Sequence, residues 1–329
     1  MGAVPKPPPR TAPDARLSDA EIASPDDARI WPGHEVEVAG NRLHIRTTPT
    51  DNADGEPALF IHGLGGSAHN WTDFAAVLCD RLAIESIDLP GHGRSGPAVR
   101  NDYSPTAHAK TVIAYLEQSG RGPVHLVGNS MGGAISILVA GTRPDLVRTL
   151  TLVSPAVPDN RIRVYALRND PRVALLVVPV LGEWAMKSFT RKYAPEIRVA
   201  GTIKLCFADK NRYPAERMRE AVDEARDRMD LPWAESAVLR SMRGLARSQF
   251  LRGRTGWNTM RRVRAPSLVI WGDDDRLVAP DLAPYVAAAI PNSRLLVMEH
   301  IGHTAMMEDP VRTARAMIAL LDDAKAASH

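Results

Sequence analysis

The sequence predicts an α/β protein with a mostly parallel sheet of eight strands, helices on both faces and one inserted helical region. Three observations predict it. Short apolar runs recur along the chain, each ending in a glycine-rich or acidic turn and leading into a helical stretch, which is how strands buried on both faces read. A polar-apolar alternation around Gly40-Asn41 opens the series with a hairpin signal. The alternation of strand and helix then breaks once, between Pro155 and Ala265, where no convincing buried strand occurs. At roughly 150 residues per domain, a chain of 329 residues holds about two units, or one domain with a large insertion.

In chain order, residues 1–30 carry Pro5, Pro7, Pro8, Pro9, Pro13 and Pro25 without any periodicity and read as a flexible leader. The core is expected over 31–156 and 265–329, with a helical cap over 157–264. The hairpin strands run from Glu35 to Val38 and from Arg42 to Ile45. The buried strands are Ala58 to Ile61, Ala83 to Ile87, Val124 to Val127, Leu150 to Val153, Leu268 to Trp271 and Leu295 to Met298. Within the cap, Met218, Ala221, Val222, Ala225 and Met229 recur at helical steps on one face, and Pro232 separates them from a second helix, Ala234 to Leu251. The run Val173 to Trp184 is almost wholly apolar and is expected between cap and core or along a pocket.

With 44% hydrophobic and 24% charged residues the chain is a soluble globular protein, well outside the regime of disorder. Its formal charge of +3 implies no nucleic-acid partner. Charge is unevenly shared, because residues 157–265 hold 23 Lys plus Arg against 12 Asp plus Glu, a net of +11. A solvated surface that also pairs with the acidic body accounts for this, the alternative being a face for anionic substrates or lipid. Cys79 and Cys206 are too few for a disulfide framework. No apolar run spans a membrane and no secretion signal is present, so a cytoplasmic protein with no obligatory membrane partner is expected.

The chemistry centres on Gly128-Asn129-Ser130-Met131-Gly132, which follows a strand and opens a helix. A G-x-S-x-G in that setting is a sharp turn that leaves the serine hydroxyl exposed at the strand's end, with a helix dipole aimed at a developing anion. Serine attacks only when a base takes its proton and a carboxylate orients that base. His303 is preferred as base over His300 because Gly302 gives it a turn after the last strand. The acid is sought in Gly272-Asp273-Asp274-Asp275, with Asp275 preferred, Asp274 next and Asp159 a remote substitute. The glycine-rich turn His62-Gly63-Leu64-Gly65-Gly66 offers the Leu64 N–H, and the elbow offers that of Met131, as the pair an oxyanion needs. His62 and His92 precede the serine and suit structural hydrogen bonds. His62, Gly63 and Asn129, with Leu176, Leu181 and Trp184 of the cap, are the expected substrate-site lining.

These segments resemble the α/β-hydrolase superfamily, in its capped branch of esterases, lipases and carbon-carbon bond hydrolases. The resemblance covers about residues 34 to 322 and adds Asp88-Leu89-Pro90-Gly91-His92-Gly93-Arg94-Ser95 after the fourth strand and Glu308-Asp309-Pro310 in the histidine loop. Family spacing sets the acid three residues after Gly272, at Asp275. It implies the α/β-hydrolase fold, a Ser130-His303-Asp275 triad and ester hydrolysis without metal or organic cofactor. Asn129-Ser130-Met131-Gly132-Gly133 is also common in meta-cleavage-product hydrolases, but Gly65-Gly66-Ser67 lacks their proline and Thr304 stands where they carry tryptophan. Ser130 argues against dehalogenases and epoxide hydrolases, which place aspartate there.

Two rivals come from other classes. Gly63-x-Gly65-x-x-Ala68 with Asp88 twenty residues on is a passable dinucleotide fingerprint, yet two strands precede it and no Tyr-x-x-x-Lys pair follows. A non-catalytic ligand-binding protein of the same fold would ordinarily have lost a triad member, whereas all three are present.

Overall fold

The chain enters its sheet through the hairpin of β1 (Gly33–Val38) and β2 (Asn41–Thr47). Val38 pairs with Asn41, so the turn is Ala39-Gly40, one residue earlier than the sequence signal placed it. Both turn residues have positive φ, 48° and 78°, the twist that suits a two-residue hairpin. The remaining strands are β3 (Glu56–Ile61), β4 (Leu82–Ile87), β5 (Val124–Asn129), β6 (Val147–Val153), β7 (Ser267–Gly272) and β8 (Ser293–Met298). This computed structural model describes residues 11–25, 28–48, 55–159, 178, 180–251 and 253–327. The eight strands form one sheet in the order β1-β2-β4-β3-β5-β6-β7-β8, antiparallel at β1/β2 and β2/β4 and parallel elsewhere.

The apolar runs are continuous because both faces are covered. Leu59, Ile61, Val269 and Trp271 join a core with α2 (Pro105–Ser119) and α3 (Met131–Thr142), following the short α1 (Thr72–Ala76). Their chain neighbours Ala58, Phe60, Leu268 and Ile270 join a second core on the opposite face with Phe74, Met306 and Met317. Alternate residues thus serve opposite layers, as the period of two in a strand dictates. α2 starts with Ser104 accepting from the Ala107 N–H at 3.2 Å and stops at Gly120 in the left-handed region.

Between β6 and β7 the α-helices among the described residues are α4 (Leu181–Lys192), α5 (Pro195–Cys206), α6 (Ala215–Asp227), α7 (Ala234–Leu251) and α8 (Gly253–Met260). The core closes with α9 (Ala283–Ala289), α10 (Ala305–Glu308) and α11 (Pro310–Ala326). On α6 Val222 is buried as expected, but Met229 falls beyond the helix end and is exposed. The insertion's cations partly pair with the body: Arg217 reaches Asp73 at 2.8 Å and also bonds Glu220 and the Ala28 carbonyl. The Cys79 thiol donates to the Ala76 carbonyl at 3.2 Å. Among the described residues no helix is long and apolar enough to cross a membrane.

The described part of the leader departs from its expectation, residues 1–10 and 26–27 lying outside the described residues. Residues 13–18 have no helix, yet they are docked: Ala15 N–H donates to the Leu295 carbonyl (2.8 Å) and Leu295 N–H to that of Pro13 (3.0 Å). Ser18 continues onto α11 through a bond to the Arg315 carbonyl (3.0 Å). The physical reason is that β8 ends the sheet with unpaired N–H and C=O groups, and an extended segment satisfies them without periodicity of its own.

Candidate active site

Parallel register brings the carboxyl ends of the site strands together. Ile61 pairs with Gly128 and Asn129 with Val153, so the turn after β3 lies beside Ser130; Gly272 pairs with Met298, so the turn of Asp273, Asp274 and Asp275 lies beside the loop of His303. Ligand sites in open α/β sheets form at such ends.

Ser130 joins β5 to α3 with φ 53° and ψ −115°, a conformation that an L-residue holds only where its surroundings impose it. They do. Its N–H donates to the Val153 carbonyl (3.0 Å), and its own carbonyl accepts from Ala134 (3.0 Å) and Ala156 (2.9 Å). Glycine at 128 and 132 is required by approach distance: a Cβ on Gly132 would lie 2.1 Å from the Ile61 carbonyl oxygen, and one on Gly128 would lie 2.5 Å from that of Gly132. The serine residue stays half-buried. Met131 starts α3, whose first N–H groups have no helical partner. Gly63 abuts the elbow closely enough that a Cβ on it would lie 3.2 Å from Ser130 Cβ, and Leu64 follows, half-buried.

His303 is buried, and its Nδ1 lies 2.8 Å from Asp275 Oδ2. The other oxygen of Asp275 accepts from the Leu277 (2.8 Å) and Val278 (2.9 Å) N–H groups, which fixes the carboxylate. With Nδ1–H given to Asp275, a neutral imidazole leaves Nε2 as its acceptor. Of the three aspartates in the turn only Asp275 is buried; Asp273 accepts from the His300 N–H at 2.7 Å, and Asp274 donates its N–H to the Ile301 carbonyl. His300 is exposed.

The other expected site residues divide differently. Asn129 is a brace rather than a substrate contact, since its amide donates to the Val153 and His303 carbonyls, each at 3.1 Å. That second bond ties the residue before Ser130 to the loop that carries His303. His62 is fully buried, with Nδ1–H on the Gly63 carbonyl (2.7 Å) and Nε2 accepting from Leu89 (3.1 Å), so it joins two turns and is closed to a ligand. Leu181 and Trp184 are 50% and 68% exposed, and Val178 and Val180 are exposed too, against the expectation of a buried or pocket-lining run. Glu183 pairs bidentately with Arg243 of α7, while Gly182 is buried and Leu181 and Trp184 stand outward on α4. Leu176 lies outside the described residues.

Sequence reading assigned no role to Glu224 and Arg228. Glu224 accepts from Ser67 Oγ (2.9 Å) and His69 Nδ1 (2.7 Å), and Arg228 donates to the Gly65 carbonyl (2.8 Å). These contacts brace the turn that carries Leu64 from the insertion, across 157 and 163 residues of chain for Ser67 and Gly65, a range at which no local pattern signals a partner.

Electrostatics beneath the site set its acid stability. Burial alone would raise the Asp88 carboxyl, but hydrogen bonds from His44 (2.8 Å), Ala68 N–H (2.7 Å) and Arg94 N–H (3.0 Å) outweigh it and hold the group at about 2. Burial pushes His92 well below its usual value, and His108 to about 3, within a run of ring contacts from His62 through His92 to His108 at 5.3 and 5.8 Å. All these folded-state values lie below the unfolded ones. The histidine contribution to stability is therefore complete above 6.5 and declines as pH falls toward 3, and that of Asp88 is complete above 3.8 and is lost toward 2. Thermal melting across pH is expected to show both declines. Asp88→Asn removes the second, which is worth about 2 kcal/mol at ~1.4 kcal/mol per pH unit.

The sequence profile of the alpha/beta hydrolase fold family matches residues 57–310. The chain is 29% identical over 282 residues to Lipase 3 of Moraxella sp. (strain TA144), covering 84% of this chain and 80% of that protein. It is 28% identical over 270 residues to Lipase 1 of Psychrobacter immobilis, covering 80% and 76%. Among solved structures, a thermophilic esterase from Thermogutta terrifontis superposes with a TM-score of 0.63 at 22% identity, over 89% of this chain and 99% of that one, a likeness of fold.

Proposed function

The chain belongs to the α/β-hydrolase fold family, and from that premise we propose that it is a serine hydrolase of the lipase/esterase type that cleaves carboxylic esters through an acyl-enzyme. The observation that carries the reading is the buried His303-Asp275 pair, joined through the Asn129 amide to the strained turn at Ser130. A protein that only binds a ligand has no need of a fixed tautomer beside a strained serine.

In the proposed reaction His303 Nε2 takes the Ser130 proton as Oγ bonds to the ester carbonyl carbon. The carbonyl π electrons move to oxygen, and the Leu64 and Met131 N–H groups receive the oxyanion. Collapse expels the alcohol, to which His303 returns the proton. Water then adds to the acyl-enzyme by the same sequence, releasing the acid and restoring Ser130. Asp275 holds the imidazole and stabilises its cation throughout, without taking the proton. No step requires a metal or an organic cofactor.

The substrate class, esters of apolar acyl chains, is taken from the names of the lipase relatives, since Leu181 and Trp184 stand exposed on α4 and do not themselves argue for it. Hydrolysis of p-nitrophenyl esters from two to ten carbons tests this. Activity is expected throughout, with kcat/KM rising by up to about fourfold for each methylene buried, at ~0.8 kcal/mol apiece. Absence of turnover across the series refutes the reading, and a flat profile refutes the preference for apolar acyl chains.

A further inference from the structure

His303 is held from both sides. Asp275 fixes its ring, while its backbone is held by the helical insertion, since its N–H donates to the Cys206 carbonyl at 2.7 Å. Cys206 ends α5, and the following segment, residues 207–209, runs along the histidine loop. The two backbones touch without a gap: a Cβ on Gly302 would lie 2.3 Å from the Cys206 carbonyl oxygen and 2.7 Å from the Ala208 nitrogen.

One carboxylate closes this contact. The Glu308 side chain is completely buried, and its Oε2 accepts from the N–H groups of Gly302 (2.7 Å) and Ala208 (3.1 Å) while Oε1 accepts from Asp209 (2.9 Å). Arg212 of the insertion approaches Oε1 at 4.0 Å. Three donors, two from the insertion and one from the residue before His303, thus converge on a single buried anion. Hydrogen bonds from N–H groups to a carboxylate are stronger and more directional than those between neutral partners.

We propose that Glu308 is a positioning residue for the hydrolysis, fastening residues 206–209 of the insertion to the loop that presents His303 so that the imidazole is held over Ser130. The inference rests on the serine-hydrolase reading above. Glutamine at 308 keeps the shape but offers one oxygen in place of two, so an amide NH₂ must face an N–H donor and one bond is lost. Aspartate keeps the anion with a shorter reach.

The test compares the intact wild-type chain with E308Q and E308D in p-nitrophenyl butyrate hydrolysis, fluorophosphonate labelling of Ser130, and thermal melting. The expected result is a cooperative melt for each variant, an unchanged KM, and a kcat for E308Q lower by about 10²-fold, the effect of displacing a reacting group by about 1 Å. E308D recovers part of the loss, and labelling slows in step with kcat because both need the base. Three results overturn the proposal: a folded E308Q with wild-type kcat, a rise in KM with kcat untouched, or loss of the cooperative melt in both variants, which makes the carboxylate a strut of the fold. A wild-type chain that turns over no ester refutes instead the serine-hydrolase reading beneath it, a result separate from equal activity in wild type and variant.

Discussion

Ser130→Ala is expected to lower kcat for ester hydrolysis by about 10⁶-fold, the loss seen when the nucleophile of an acyl-enzyme mechanism is removed. The melting temperature should scarcely move, because the elbow is held by backbone bonds at Val153, Ala134 and Ala156 and by the approach of Gly128 and Gly132, none of which involves the hydroxyl. Alanine also meets the same positive φ with a Cβ of the same size. The experiment pairs initial rates with fluorophosphonate labelling. Label on the alanine variant, or turnover equal to wild type, would remove Ser130 from the chemistry.

Asp275→Asn carries the next largest effect, about 10⁴-fold in kcat. The asparagine oxygen can still accept from Leu277 and Val278, so the turn survives. Its NH₂ would then face His303 Nδ1, which favours the tautomer with the proton on Nε2 and leaves no acceptor for the serine proton. Asp273→Asn and Asp274→Asn are the controls, since both side chains are exposed and neither stands against His303 in the way Asp275 does. A loss of rate in Asp274→Asn, with Asp275→Asn active, would transfer the role of acid to its neighbour.

How much of this was legible in the sequence depends on the range of the interaction. Strands such as Ala58 to Ile61 and Leu268 to Trp271 announce themselves because every residue faces one of two buried layers. The elbow is equally local: Gly128, Ser130 and Gly132 are needed within one turn, so the constraint is written in adjacent letters. Asp275 and His303 could be proposed because each follows a recognisable strand. Leu181 and Trp184 end a stretch apolar almost all round, so no periodicity within it marks the face that α4 turns to solvent. Asn129, which its place beside Ser130 suggests as a substrate contact, has its amide bound to a carbonyl 174 residues away, a relation with no periodic signature.

The docking of residues 13–15 on β8 sets a timetable for synthesis. Ala15 and Leu295 are 280 positions apart (295 minus 15), so at about 5–20 residues per second the leading segment waits on the order of tens of seconds on the ribosome before its partner is made. Once β8 is made, only the arrival of residues 13–15 covers its outer rim. Shortened versions that begin after residue 20 should therefore emerge with a bare sheet margin and gather into aggregates on warming, even if each still cleaves ester at the normal speed.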